Sequence, residues 1–193
     1  MSYRRSFILG LAAVVVTLSG CIPRPQPVRL SPPVNAAAGV GQGATVGVAV
    51  VDVRPDQKLG IITDAHEDKV PVTVGREETA GIYKSVTQAL TRMGFKTKPL
   101  ADDDPVGLTV ELRELSLNEL YQTGSYDVAL KAVLSASARN GVDTYDREFT
   151  VNQHKTAGGP TTQAETTKMV NDAVGLALSD MLADQDLTAL LRR

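Results

Sequence analysis

Few groups in this sequence could carry chemistry: 193 residues hold one cysteine and two histidines. His66 stands in Thr63-Asp64-Ala65-His66-Glu67-Asp68, where three carboxylates and an imidazole crowd together. Such donors hold a divalent metal when they converge from separate elements. Here they are consecutive, with no second cluster to complete a coordination shell, so a solvated loop is expected. Asp102-Asp103-Asp104 before Pro105 lacks the spacing of a calcium loop and reads as a polar connection. His154, beside Lys155, would need a nucleophile and an orienting group to act as a base. No Gly-x-Ser-x-Gly elbow accompanies it, and Gly39, Gly41 and Gly43 do not form a phosphate-cradling loop. The chain reads as a non-enzyme, with no cofactor and no metal site.

The cysteine is different. Leu18-Ser19-Gly20-Cys21 has the form of a bacterial lipobox and ends on the only thiol. Acylation there requires a thiolate nucleophile, which no other side chain replaces well. The residues before it divide into a basic start (Arg4, Arg5), an apolar run from Phe7 to Leu18, and small residues at 19 and 20. That order is a secretory signal. The apolar run is about 12 residues, whereas a spanning helix needs roughly 20. Residues 1–20 are therefore expected to be a cleaved signal peptide, and Cys21 a lipid anchor that binds a membrane without crossing it. Ile22 follows the cysteine, where the aspartate typical of inner-membrane retention would stand. By that rule of lipoproteins the expected address is the outer membrane, on its periplasmic side.

The elements that follow must position whatever else the protein does. Between Ile22 and Pro33, five of twelve residues are proline, a composition that favours extended polyproline II. Ala and Gly then dominate residues 35–44. Residues 21–44 are read as a lipidated cysteine and flexible tether, spanning roughly 70 Å at about 3.1 Å per residue. Residues 45–193 are read as a single domain. Val46, Val48 and Val50 alternate as a strand, Ile61-Ile62 marks a second, and Val70-Pro71-Val72 a third that proline should confine to an edge or bulge. Ile82, Val86, Ala89, Leu90 and Met93 share one helical face, and Gly94 stands where a left-handed cap belongs.

Three long alternating strands follow, through Leu108, through Leu130 and through Phe149, with Asn140-Gly141 as a hairpin signal. Thr162-Gln163-Ala164-Glu165 fits a capping box, after which Met169, Val170, Ala173, Val174, Ala177, Leu178 and Met181 form an apolar stripe. A last short turn is expected near Leu187–Leu191. The fold class is α+β: an antiparallel or mixed sheet of about 4–6 strands, with two amphipathic helices packed on one face.

The order of these features resembles the YajG-type family of envelope lipoproteins. The resemblance rests on the lipobox at 18–21, Val28-Arg29-Leu30-Ser31-Pro32-Pro33-Val34, and Val46–Asp52. It continues through Leu90-Thr91-Arg92-Met93-Gly94-Phe95, Val110-Glu111-Leu112, and Tyr126 to Gly141. It covers nearly the whole mature chain and implies no catalytic residue.

Net charge is −2, and losing Arg4 and Arg5 with the signal makes the mature chain more acidic. That balance argues against nucleic acid. With Cys21 acylated, no intramolecular disulfide is possible, so the apolar core must stabilise the fold alone. A lipid anchor joined to a compact domain without a catalytic set points to an adaptor that binds an envelope protein. The alternative is a module binding peptidoglycan fragments or lipid.

Overall fold

The computed structural model describes residues 24–64 and 66–193. Leu18, Ser19, Gly20 and Cys21, and with them the expected signal and lipidation site, lie outside the described residues. The elements in chain order are β1 (Gln26–Pro27), β2 (Thr45–Asp52), β3 (Lys58–Thr63), β4 (Lys69–Thr73), α1 (Thr79–Arg92), β5 (Lys96–Pro99), β6 (Val106–Gln122), β7 (Ser125–Asn140), β8 (Asp143–Ala157), α2 (Gln163–Ala183) and α3 (Gln185–Arg192).

Five strands form a mixed sheet in the order β5-β2-β6-β7-β8, and three form a smaller one, β1-β4-β3. β2 runs parallel to β5 and β6, while β6, β7 and β8 make the antiparallel meander the alternation predicts. The class is α+β as expected, with three helices rather than two. The expected turn near Leu187 is a full helix because Asp184 caps it, its carboxylate accepting from the Asp186 and Leu187 amides. Pro71 lies on the middle strand of the small sheet, not an edge. It is tolerated there because β1 pairs only with Val72 and Thr73. The second hairpin turn centres on Gly141-Val142, since Asn140 still pairs with Asp143. Gly141 takes φ +60° at the first central position.

One face of the large sheet is dry. Val46, Val48, Leu108, Val110, Leu112, Leu130, Leu134 and Ala136 are all buried beneath the helices. Each buried Leu or Val contributes about 1.5–3 kcal/mol. β6 keeps this face dry from Leu108 to Leu117 only because of an irregularity. Leu112 pairs with Leu134 and Glu114 with Val133, which leaves Arg113 as an extra residue. The parity of β6 flips there, so Leu115 and Leu117 return to the face that Leu108, Val110 and Leu112 occupy before it. β3 crosses the flipped half. A Cβ at Gly60 would collide with the Leu117 carbonyl, so only glycine permits that approach.

The proline-rich segment corrects the tether reading. Val28, Leu30, Pro32 and Val34 alternate into the core, and β1 pairs with β4. The segment runs as an extended strap in the groove between α1 and α2. Proline-rich chain makes no regular ladder, so side chains satisfy its backbone. The Leu30 amide donates to Glu78 (2.8 Å), Ser31 to Asn171 (2.6 Å) and Asn35 to Ser179 (2.9 Å). Arg92 donates to the Val34 carbonyl at 2.7 Å. Two helix glycines make the groove: a Cβ at Gly81 would strike the Leu30 carbonyl, and one at Gly175 the Pro33 carbonyl. Farther on, Gly41 and Gly43 donate to the carbonyls of Met93 and Gly94. The domain therefore begins near residue 26, not 45.

At the end of β2, the Asp52 and Arg54 side chains are each only 3% exposed. They form a bidentate pair, with bonds of 2.9 and 2.7 Å, and Arg54 also donates to the Val74 carbonyl. Burial alone would raise the Asp52 pKa, but the hydrogen bonds from Arg54 outweigh it and hold the carboxyl below its ordinary 3.8.

Two outcomes follow from the strap and the pair. Gly81→Val should dislodge the strap and cost about 1–3 kcal/mol, read as a lower urea midpoint. An unchanged midpoint would show that the groove yields. Asp52→Ala should cost about 3–5 kcal/mol by stranding the buried guanidinium. The pair's contribution is present above pH 3.8 and is lost as pH falls through the depressed value of the folded state. The variant should therefore unfold with acid less steeply than the parent.

Candidate functional site

β8 is an edge strand of 15 residues, and among the described residues no strand pairs with its outer side. Its side chains alternate: Tyr145, Phe149, Val151, Gln153 and Lys155 turn half-buried toward the helices, while Glu148, Thr150, Asn152 and His154 stand exposed. Two of its cations point inward and are met by helix termini. Arg147 pairs with Asp184, the cap of α3. That contact accounts for a charged residue beside Tyr145 and Phe149 on the helix-facing side. Burial and the Asp184 carboxylate push the Tyr145 hydroxyl up to about 12. Lys155 donates to Glu165 at 2.7 Å. Glu165 also closes the predicted capping box with Thr162, whose amide donates to it at 3.0 Å. The Lys155 ammonium, followed by the Thr162 amide and hydroxyl, holds the Glu165 carboxyl down at about 2.

Between the end of β8 and the start of α2 lies a cleft of about 440 Å³, lined by Gln153, His154, Lys155, Glu165, Lys168 and Asp172, with Met169 at its base. Its charges are spent internally, since Lys155 pairs with Glu165 and Lys168 with Asp172. His154 is exposed on the face of β8 opposite Lys155, and the lining offers neither hydroxyl nor thiol as a nucleophile. The histidine is thus a rim residue of the cleft.

The acidic clusters turn out to hold loops together. One Asp64 oxygen accepts from the amides of His66 (2.8 Å) and Asp68 (3.0 Å), closing the turn between β3 and β4. Asp104 accepts from the Ala101 amide at 2.8 Å and pairs with Lys98, and those two contacts lower its pKa. Among the described residues no three metal-ligating side chains come together.

Sequence reading missed the closed end of the β6–β7 hairpin. Leu120 and Tyr121 are 54% and 61% exposed there. Tyr121 faces Tyr126 across the strands, their rings 5.0 Å apart and tilted. The signal was the Leu120-Tyr121 pair standing just before the Thr123-Gly124 turn, where Gly124 has φ +83°.

The described residues thus build an α+β domain, a mixed sheet with three helices. A family model described as "uncharacterized lipoprotein" matches residues 32–192, and the chain belongs to that family, the YajG family. A crystal structure of a Xanthomonas campestris protein of the family DUF330 has the same fold. The TM-score is 0.54 and identity 16%, covering 86% of this chain and 95% of that one. Two further crystal structures are weaker likenesses. One, of an uncharacterized protein, gives a TM-score of 0.48 at 11% identity, covering 82% and 97% of the two chains. The other is a neuraminyllactose-binding hemagglutinin homolog from Helicobacter pylori, at 0.47 and 10%, covering 86% and 97%. A comparison with curated proteins finds no match. Among the described residues no helix is long and apolar enough to cross a membrane.

The Lys155–Glu165 contact can be tested by titration. Lys155→Met should raise the Glu165 pKa from about 2 toward its ordinary 4.5 while the capping box keeps it below that value. Carboxyl NMR shifts followed through acid would read the change. In the parent, the contact stabilises the fold fully above pH 4.5 and is lost as pH falls toward 2. A Glu165 pKa unmoved by the substitution would assign the depression to the cap alone.

Proposed function

We propose that this lipoprotein is held by acyl chains on Cys21 at the periplasmic side of the outer membrane and acts there as a non-catalytic adaptor. Its partner is an envelope protein that adds a strand to β8. The open 15-residue edge of β8 carries this reading, because an unpaired row of backbone donors and acceptors offers affinity without a side-chain pocket. Inward charges on an edge strand discourage indiscriminate pairing between copies. Here Arg147 and Lys155 are answered by helix carboxylates, so the edge stays ordered and soluble while its outer row remains available. Ile22 after the cysteine supports the outer-membrane address.

A peptidoglycan-fragment or lipid site is the second reading, favoured by the cleft at Lys168. Its volume falls in the range of small-ligand sites, about 300–1,000 Å³. The mutual neutralisation of its lysines and carboxylates ranks it below the edge.

Photo-cross-linkers placed at Glu148, Thr150 and Asn152 in cells should capture one common protein. The same group at Lys84 on α1 should not. Capture at neither place, or equally at both, would sink the edge-pairing reading.

A further inference from the structure

The strap shortens the chain available between the membrane and the domain. Five residue steps separate Cys21 from Gln26, where pairing with Val72 begins, and they span at most about 18 Å. The direction of approach is also fixed. β1 runs parallel to β4, and β4 starts at Lys69, the residue paired with Thr63. Thr63 in turn donates to Glu119, which lies on β6 just before the hairpin tip. At Gln26 the chain therefore points back toward the end of the molecule where the β6–β7 hairpin closes, and the short span to Cys21 keeps that end within reach of the surface in which Cys21 would be acylated.

That same end carries exposed apolar surface of a particular kind. Leu120 pairs with Asp127 and points to one side of the ribbon, while Tyr121 and Tyr126 point to the other. A flat protein partner would cover one side only; a medium entered end-on covers both. Tyrosine suits the boundary of a bilayer, where the ring is apolar and the hydroxyl stays wet. The charge near the tip is mainly acidic, from Glu67 and Glu119, which act on the Tyr126 hydroxyl, and from Asp127 opposite Leu120, with Lys69 beside Glu119. Contact there is apolar and gains nothing from anionic lipid. Asp127, level with Leu120, limits depth to the headgroup layer.

We infer that the β6–β7 tip, through Leu120, Tyr121 and Tyr126, is a second membrane contact that seats in the bilayer interface beside the acyl anchor and fixes the domain's orientation. The acyl chains hold the protein at the membrane, and the tip adds a second point of contact that sets the domain's orientation. The inference rests on acylation of Cys21, and its test separates the two.

The chain has no tryptophan, so a single substitution gives an unambiguous reporter. Full-length protein made in its acylated form would be reconstituted into phosphatidylcholine vesicles, with and without brominated acyl chains. Leu120→Trp should emit at shorter wavelength than the free protein and lose most of its emission to the brominated lipid. Val142→Trp, on the turn at the far end and 97% exposed, should show neither change. Mass spectrometry of the same samples reports the acyl chains. Acylated protein in which Leu120→Trp behaves like Val142→Trp overturns the tip contact and leaves the tip to a protein partner. Protein without acyl mass at Cys21 overturns the anchor and the inference with it.

Discussion

The structure depends on one close approach: an extended, proline-bearing chain pressed between two helices at glycines. Gly81 and Gly175 bring backbone to backbone, which lets Val28, Leu30 and Val34 reach a core that neither helix would close alone. Three strap amides that no ladder takes are answered by polar side chains, Glu78 in the turn before α1 and Asn171 and Ser179 on α2. A buried backbone without such partners would cost about 1–3 kcal/mol for each unmet group. Side-chain acceptors at Glu78, Asn171 and Ser179 are therefore part of the fold, although they look like ordinary surface polarity in the sequence.

Much of this was legible. The helical face from Ile82 to Met93, the capping box at Thr162, the stripe from Met169 to Met181 and the meander all follow from periodicity and local caps, because those signals involve near neighbours. The strap was misread because proline content outweighed a two-residue alternation already present at 28, 30, 32 and 34. Proline forbids a ladder but not burial. Arg113 was equally opaque: the parity of β6 changes without any glycine or proline to mark it, and only the partner strand defines a bulge. The inward Arg147 made sense once Asp184, 37 residues later, was found beside it.

For the candidate site the division is similar. The turn role of the Asp64–Asp68 cluster and the connecting role of Asp102–Asp104 were legible, since both stand as consecutive polar runs between elements. What a sequence could not convey is exposure. The edge of β8 and the tip of β6–β7 are defined by what fails to cover them, and that depends on how far the helices and the small sheet extend. Both surfaces lie on the long meander and so belong to one continuous sheet.

The strap also sets an order of events. Ser31 and Asn171 stand 140 residues apart in the chain, and they meet across the same groove as Leu30 and Glu78. The strap, near the start of the described chain, can therefore lock into place only once α2, one of the last elements, is available. Closing so long a loop is slow compared with forming local helices. Closure of the strap is thus the step that completes the domain: the first described residues gain their partners only when one of the last helices is in place.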